Sequence, residues 1–235
     1  MLIHLFMMLA ELRNISKSYG TQGKGNLVLD QVSLAIGENE SLAITGPSGS
    51  GKSTLLNILG TLDSPGSGEV ILNGTNVSLF TANGLAAIRN RFIGFVFQQH
   101  HLLPQLTLIE NVLLPLMPVR DRVNRKDGEE RARRLLDRVG LAGMIHRRPA
   151  NLSVGECQRA AVVRAMVNQP KLLLADEPTG SLDAGNAMQL GKLLAELNLE
   201  QKLAVVVVTH SMEIAMRMGK IYQLASGKIT LLEKS

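Results

Sequence analysis

The chain has 235 residues, 45% of them apolar, enough to bury one large core or a core carrying an inserted lobe. Its net charge of +5 is modest, and with two tyrosines, five phenylalanines and no tryptophan it lacks the stacking platforms of a nucleic-acid binder, so no nucleic-acid partner is expected. The single cysteine, Cys157, excludes an intramolecular disulfide framework and fits a reducing compartment.

Met1 to Ala10 is apolar but carries no Lys or Arg, and it falls short of the ~20 residues of a spanning helix. It reads as an over-long start, with Met7 or Met8 as initiator, in preference to a membrane-surface tether or a vestigial signal. No other segment reaches spanning length without charges, so a membrane role has to come through a partner.

Ser41 to Thr45 is a short apolar run that reads as a strand, and Leu55 to Leu59 follows with helical spacing. Between them, Gly46-Pro47-Ser48-Gly49-Ser50-Gly51-Lys52-Ser53 matches G-x-x-x-x-G-K-[ST] in the context that the motif needs, after a strand and opening a helix. The glycines let backbone N–H groups turn inward on an anion, Lys52 reaches the β- and γ-phosphates, and the Ser53 hydroxyl suits Mg2+. Gly46, Ser48, Gly49, Ser50, Gly51, Lys52, Ser53 and Thr54 are the expected ATP contacts. A glycine-rich turn that binds nothing would explain the glycines but not Lys52 and Ser53.

Glu69 to Gly74 looks like a hairpin strand, and from about Leu85 to Leu152 the pattern reads as helical. Within that stretch Ala132, Leu135, Leu136 and Val139 form one apolar stripe on a helix over 127–139, with Gly140 as its C-cap. Arg131, Arg133, Arg134 and Arg138 on the same helix read as a solvated face, with partner contact as the minority view. His100 and His101 have no Cys, His or carboxylate companions and are read as structural.

Lys171 to Ala175 and Leu203 to Val208 read as strands buried on both faces, joined by a crossover helix carrying Leu190, Leu193, Leu194 and Leu197. Together they predict a parallel α/β core, to which Ile221 to Ala225 and Lys228 to Leu232, around Ser226-Gly227, add an antiparallel edge. Asp176 and Glu177 fall at the carboxyl end of a buried strand, where such sheets place ligand chemistry. Asp176 is expected to orient Mg2+, and Glu177 to act as general base on the water attacking the γ-phosphate. A solvated turn ended by Pro178 is the plainer alternative.

Leu152-Ser153-Val154-Gly155-Glu156 lies before that strand, and Ser153 with Glu156 makes an S-x-x-E capping box opening a helix. The segment resembles the ABC signature LSGGE, and the resemblance runs from about Leu9 to Glu233. It implies an α/β P-loop NTPase cassette, with core about 9–84 and 156–235 and a helical subdomain about 85–155. It also implies that two copies, or a pair of such subunits, close head to tail over ATP and Mg2+. Ser153, Gly155 and Glu156 would then meet the nucleotide held by the other copy's Lys52. Further matches imply adenine stacking on Tyr19, a metal- and partner-sensing role for Gln98, and site roles for Asp183 and His210. An integral membrane permease would contact the cargo, with this subunit peripheral on the cytoplasmic face of the inner membrane.

Gly94 to Pro104, Leu59 to Asp63 and Leu174 to Gly180 look most like the lipoprotein-releasing and macrolide-exporter (LolD/MacB-type) branch. Two departures stand out. Val154 replaces the first signature glycine, which predicts weaker closure over ATP, and Asn39 stands where glycine is usual, in a turn that tolerates it. Cys157, in the first turn of the signature helix, is expected to be inert, a lowered thiol pKa being the alternative. Three rival readings remain: a P-loop small-molecule kinase, an ABC ATPase acting on DNA or ribosomes, and an ABC pair regulating a membrane complex of the cell-division type.

Overall fold

A computed structural model describes residues 8–20, 26–118 and 122–233. The expectation for the first seven residues lies outside them. Two sheets form the frame. β1 (Met8–Tyr19), β2 (Asn26–Gly37), β4 (Ser67–Leu72) and β5 (Thr75–Asn76) make an antiparallel sheet in the order β2-β1-β4-β5. β3 (Ser41–Thr45), β6 (Ile93–Phe97), β7 (Leu172–Asp176), β8 (Ala204–Val208), β9 (Lys220–Ala225) and β10 (Lys228–Leu232) make the second, ordered β10-β9-β3-β8-β7-β6. In this sheet β9, β3, β8, β7 and β6 run parallel and β10 closes the edge antiparallel. The edge hairpin turns at Ser226 and Gly227, both at positive φ as a type I′ turn requires.

The parallel strands read as unbroken apolar runs because both their faces are covered. Leu42, Ile44, Leu172, Leu174, Val206 and Val208 pack toward the antiparallel sheet and helix α1 (Lys52–Leu59). Ala43, Leu173, Ala175, Val205 and Val207 pack toward helices α5 (Val154–Met166) and α6 (Ala184–Gln201). β-Branched valines suit such two-sided burial.

Helices α2 (Ala82–Phe92), α3 (Leu108–Leu113) and α4 (Arg122–Arg138) occupy the middle of the chain. The helical reading of this stretch needs correction at β6, which lies inside it and pairs with β7 as the last strand of the central sheet. A third apolar cluster joins Leu108, Val112, Ala132, Leu136 and Leu141 to Cys157, Ala160, Val163 and Val167. Helix α5 therefore has two apolar faces, one on the sheet and one on the helical lobe. Helix α4 ends at Gly140 (φ 75°) in a Schellman arrangement, Gly140 N–H donating to Asp137 O at 2.9 Å and Leu141 N–H to Leu136 O at 2.8 Å. Asn39 sits at φ 60° in its turn.

Among the described residues no helix is long and apolar enough to cross a membrane. The last helix is α7 (Met212–Met216).

Candidate functional site

The parallel sheet delivers four chemical segments to one edge, the carboxyl ends of its strands. β3 runs into the glycine loop at Gly46, β6 into Gln98, β7 into Asp176 and Glu177, and β8 into His210. Around them lies a cavity of about 520 Å³ walled by Tyr19, Val28, Ser48, Gly49, Gly51, Lys52, Ser53, Thr54, Gln98, Glu177 and His210.

The loop turns back on itself through positive φ at Gly46 (147°), Gly49 (76°) and Gly51 (99°). Glycine is required sterically at two of these. A Cβ on Gly46 would lie 2.1 Å from Leu224 O, and one on Gly51 would lie 2.8 Å from the Val28 side chain. Gly46 and Ser50 thus shape the loop from behind, and neither walls the cavity. The Ser50 hydroxyl is buried without a hydrogen-bond partner.

Lys52 is only 8% exposed, and its ammonium donates to the carbonyls of Gly46 (3.0 Å) and Pro47 (2.9 Å), with no carboxylate within ion-pair distance among the described residues. A nearly buried cation with neutral partners is incompletely compensated, and an anion in the adjoining cavity completes it. Helix α1 has no side-chain N-cap, whereas α2, α3, α5, α6 and α7 are capped by Thr81, Thr107, Ser153, Asp183 and Ser211. Its first N–H groups face the glycine loop and suit a phosphate.

Asp176 lies behind Ser53 and accepts a 3.0 Å hydrogen bond from its hydroxyl. Burial, reinforced by the charge of Glu177, raises the Asp176 pKa against the opposing effects of Ser53 and Lys52. One hydroxyl and one carboxylate, both hard oxygen donors, match what Mg2+ takes from a protein when phosphates and water fill its remaining positions. Among the described residues no group of three His, Cys, Asp or Glu side chains forms a cage, and such a shared site needs none.

Glu177 occupies the left-handed region at φ 45°, a conformation of order 1–3 kcal/mol above the normal one and held by its surroundings. Its N–H donates to Val208 O at 2.9 Å, and its carboxylate Oε2 accepts from the His210 backbone N–H at 3.3 Å and lies 2.9 Å from His210 Nδ1. Gln98 packs on Gly180, where a Cβ would come within 2.8 Å of Gln98 Nε2, and Ser181 donates to the Gln98 carbonyl at 3.2 Å.

The signature residues are placed elsewhere. Ser153 Oγ accepts from Glu156 N–H at 3.3 Å, and Glu156 Oε2 accepts from Ser153 N–H at 2.7 Å, a closed capping box at the start of α5. Those contacts hold the Glu156 carboxyl below the usual range. Asp183 caps α6 through the Asn186 N–H at 2.9 Å. Ser153, Gly155, Glu156 and Asp183 do not wall their own chain's cavity. Val154 is the first residue of α5, 52% exposed, and its φ is negative, so the backbone there does not demand glycine.

The alternative of a reactive Cys157 is overturned. The thiol is 3% exposed, donates to Pro149 O at 3.7 Å, and burial followed by the charge of Glu156 pushes its pKa up. His100 accepts from Leu102 N–H at 3.0 Å and His101 stands edge-on to Phe97 at 5.5 Å.

Several functional neighbours lie too far away in sequence for local reading to find. Tyr19, 47% exposed, donates to Asp63 at 2.6 Å, while Lys17 donates to the same carboxylate at 2.8 Å and sits 5.0 Å over the Tyr19 ring. Burial works to raise the Asp63 pKa, but the bonds from Lys17 and Tyr19 outweigh it and the carboxyl is lowered. Gln158 donates to Phe97 O at 2.6 Å, and Arg164 to the carbonyls of His100 and His101, both at 2.7 Å, so α5 holds the segment after β6 in place. Asn186 joins the two capped helices, because a Cβ on Gly155 would lie 2.7 Å from its Oδ1.

Anion cradle, buried lysine, hard-oxygen pair and strained carboxylate together serve one chemistry, the hydrolysis of a nucleoside triphosphate by a phosphate-loop enzyme. The profile of the ABC transporter family matches residues 29–180, and the chain belongs to that family, whose cassettes are ATPases that bind ATP with Mg2+. A dimeric structure of MJ0796, a bacterial ABC transporter cassette, is 38% identical with a TM-score of 0.85, covering 96% of this chain and 100% of that one. A second MJ0796 dimer, in a post-hydrolysis state bound to ADP and Pi, is 36% identical over the same shares with a TM-score of 0.82. The structure of cbiO1 from Clostridium perfringens, part of the ABC transporter complex cbiONQ, shares the fold at 24% identity and a TM-score of 0.84, over 95% of this chain and 87% of that one.

Proposed function

We propose that this chain is the motor subunit of an ABC transporter, in which two copies, or this copy and a paired cassette, close head to tail over two ATP. Each copy then powers an integral membrane permease from the cytoplasmic face of the membrane. The observation that carries the pairing is the split between the two ends of the site. The cradle and Glu177 share one cavity, with Asp176 bonded to Ser53 on its wall, while Ser153, Gly155 and Glu156 stand at the start of a separate helix and find no use in that cavity.

Lys52, Ser48, Gly49, Gly51 and Thr54 bind the phosphates, with Gly46 and Ser50 shaping the loop. Tyr19, braced by Lys17 and Asp63, stacks on the base. Ser53 and Asp176, with Gln98, would hold Mg2+, which supplies charge neutralisation on the phosphate oxygens when bound. Glu177 accepts the proton of the attacking water, and His210 positions its carboxylate through the 2.9 Å contact. Asp183 holds the loop before α6 at the closing face. The helical lobe (about 85–155 in the sequence reading, with α5 contributing to its core) transmits the motion. A second cavity of about 490 Å³, walled by Phe95, Phe97, Leu62 and Leu114 with Arg89 and Arg164, offers the permease an apolar seat beside Gln98. The lipoprotein-releasing and macrolide-exporter branch remains the best match for the cargo system.

Head-to-tail pairing is tested by mixing two crippled chains, Lys52→Ala and Ser153→Asp. Aspartate keeps the α5 cap yet sets a negative charge where a phosphate is to arrive. Head-to-tail pairing regenerates one intact site per mixed dimer, so the mixture hydrolyses ATP well above the sum of its components. A mixture no faster than that sum contradicts the proposal.

A further inference from the structure

Of the α4 arginines, Arg133, Arg134 and Arg138 are exposed, as a solvated face requires, while Arg131 is half-buried. Arg131, Arg134 and Arg138 turn toward a cavity of about 410 Å³ formed between α4, the end of α5 and the end of α6, remote in sequence and lining from the nucleotide cavity. Its volume lies within the range of small-molecule sites, ~300–1,000 Å³. Leu135, Met166 and Leu197, continuous with the second apolar cluster, furnish an apolar wall, and Lys171 stands at its margin.

The cations of this crevice are unevenly paired. Arg138 is satisfied, donating to Glu196 at 2.9 Å and Glu200 at 2.6 Å. Arg131 is half-buried and spends its Nε on the Val167 carbonyl at 2.7 Å, and its terminal nitrogens make no ion pair among the described residues. Arg134 and Lys171 have no carboxylate within 4.0 Å among the described residues. Arg131, Arg134, Arg138 and Lys171 thus face Glu196 and Glu200 across the crevice, with the charge of Asp127 also acting on Arg131, and only Arg138 has its carboxylates in direct contact. Burial lowers the Arg131 pKa and repulsion from Arg134 lowers it further, against the opposing charge of Asp127. An oxyanion between them relieves that repulsion and accepts the forked N–H donors that arginine offers to phosphate.

We propose that the crevice between α4, α5 and α6 is a second anion site, in which Arg131 and Arg134 hold a phosphate group whose attached body rests on Leu135 and Leu197. Because the walls come from both the helical lobe and the sheet-covering helix α6, an occupant ties the two together alongside the Arg138 bridge. The phosphate belongs either to a free phosphorylated solute or to an anionic lipid headgroup.

The test uses the full chain with Lys52→Ala, which silences the nucleotide cradle, titrated calorimetrically with inorganic pyrophosphate. Saturable binding is expected, weakened about tenfold by Arg134→Gln and unchanged by Arg133→Gln, a neighbour of equal charge outside the crevice. Arg134 is exposed, so its loss does not threaten folding. Sedimentation with phosphatidylglycerol vesicles separates the sources. Co-sedimentation abolished by Arg134→Gln and by pyrophosphate assigns the headgroup, whereas pyrophosphate binding without vesicle binding assigns a free solute. No saturable binding to either probe, or equal weakening by Arg133→Gln, overturns the site.

Discussion

Two helix N-termini, to which the proposed pairing assigns the two halves of the site, are built in opposite ways. Helix α1 opens behind the glycine loop with no side-chain cap, a buried lysine and an unpartnered serine hydroxyl. Helix α5 opens on a closed Ser153–Glu156 box, exposed and complete in itself. The uncapped end depends on a ligand to satisfy its donors. The capped end is stable without one, and so it can wait at the surface for a phosphate carried by another chain. A residue's worth to catalysis and its worth to stability should therefore separate at α1 and coincide at α5.

The largest expected effect is at α1. Lys52→Ala should lower ATP turnover by on the order of 10²–10³ while leaving the thermal midpoint of the nucleotide-free protein undiminished, since it removes a nearly buried cation that has only carbonyls for partners. A clear drop in that midpoint would merge the two ends that the account keeps apart.

At α5 the next effect is one of stability. Gly155→Ala sets a methyl group 2.7 Å from Asn186 Oδ1, so that the side chain must turn away and give up its bond to Asp183, and should cost about 1 kcal/mol or less in denaturant unfolding. Asn186→Ala in the same chain should add little to that loss, and a double-mutant cycle with no coupling would show that the glycine is needed for another reason.

The Tyr19–Asp63 corner, proposed to stack on the base, yields a smaller, pH-dependent effect. The Asp63 carboxyl is lowered in the folded chain, so its contribution to stability is present above the ordinary carboxylate value of about 4 and is lost as the pH falls through the folded value. Asp63→Asn should remove that part of the acid limb and weaken Tyr19's hold on the nucleotide base, as an increased KM for ATP. Smallest is Val154→Gly. With the side chain in solvent and the helix box intact, turnover in the assembled complex should stay the same or rise, and a tenfold loss would mean that the valine contributes to closure.

Local pattern revealed those parts of the molecule in which the relevant residues are neighbours in sequence. The glycine loop, the runs buried on both faces and the S-x-x-E box each complete themselves within a few residues. β1 and β2 did not show, because their pairing shifts register at several points along β1 and passes through positive φ at Asn14 and Gln31, which breaks strict alternation. β6 hid among helices because only five residues mark it, and Gly94 is among them. The Tyr19–Asp63 brace spans 44 residues and the Arg164 contacts more than 60, distances that no window covers. Asn186 sits in an ordinary helical first turn, and only the backbone approach of Gly155 reveals its function.

Pairing in trans is the claim on which the rest depends, and the mass of the Glu177→Gln protein in solution tests it most directly. This variant retains the cradle and the capping box but loses the carboxylate proposed to take the water's proton. With ATP and Mg2+ the light-scattering mass should double relative to the nucleotide-free protein and stay doubled. A mass that remains that of one chain at saturating ATP would contradict the account.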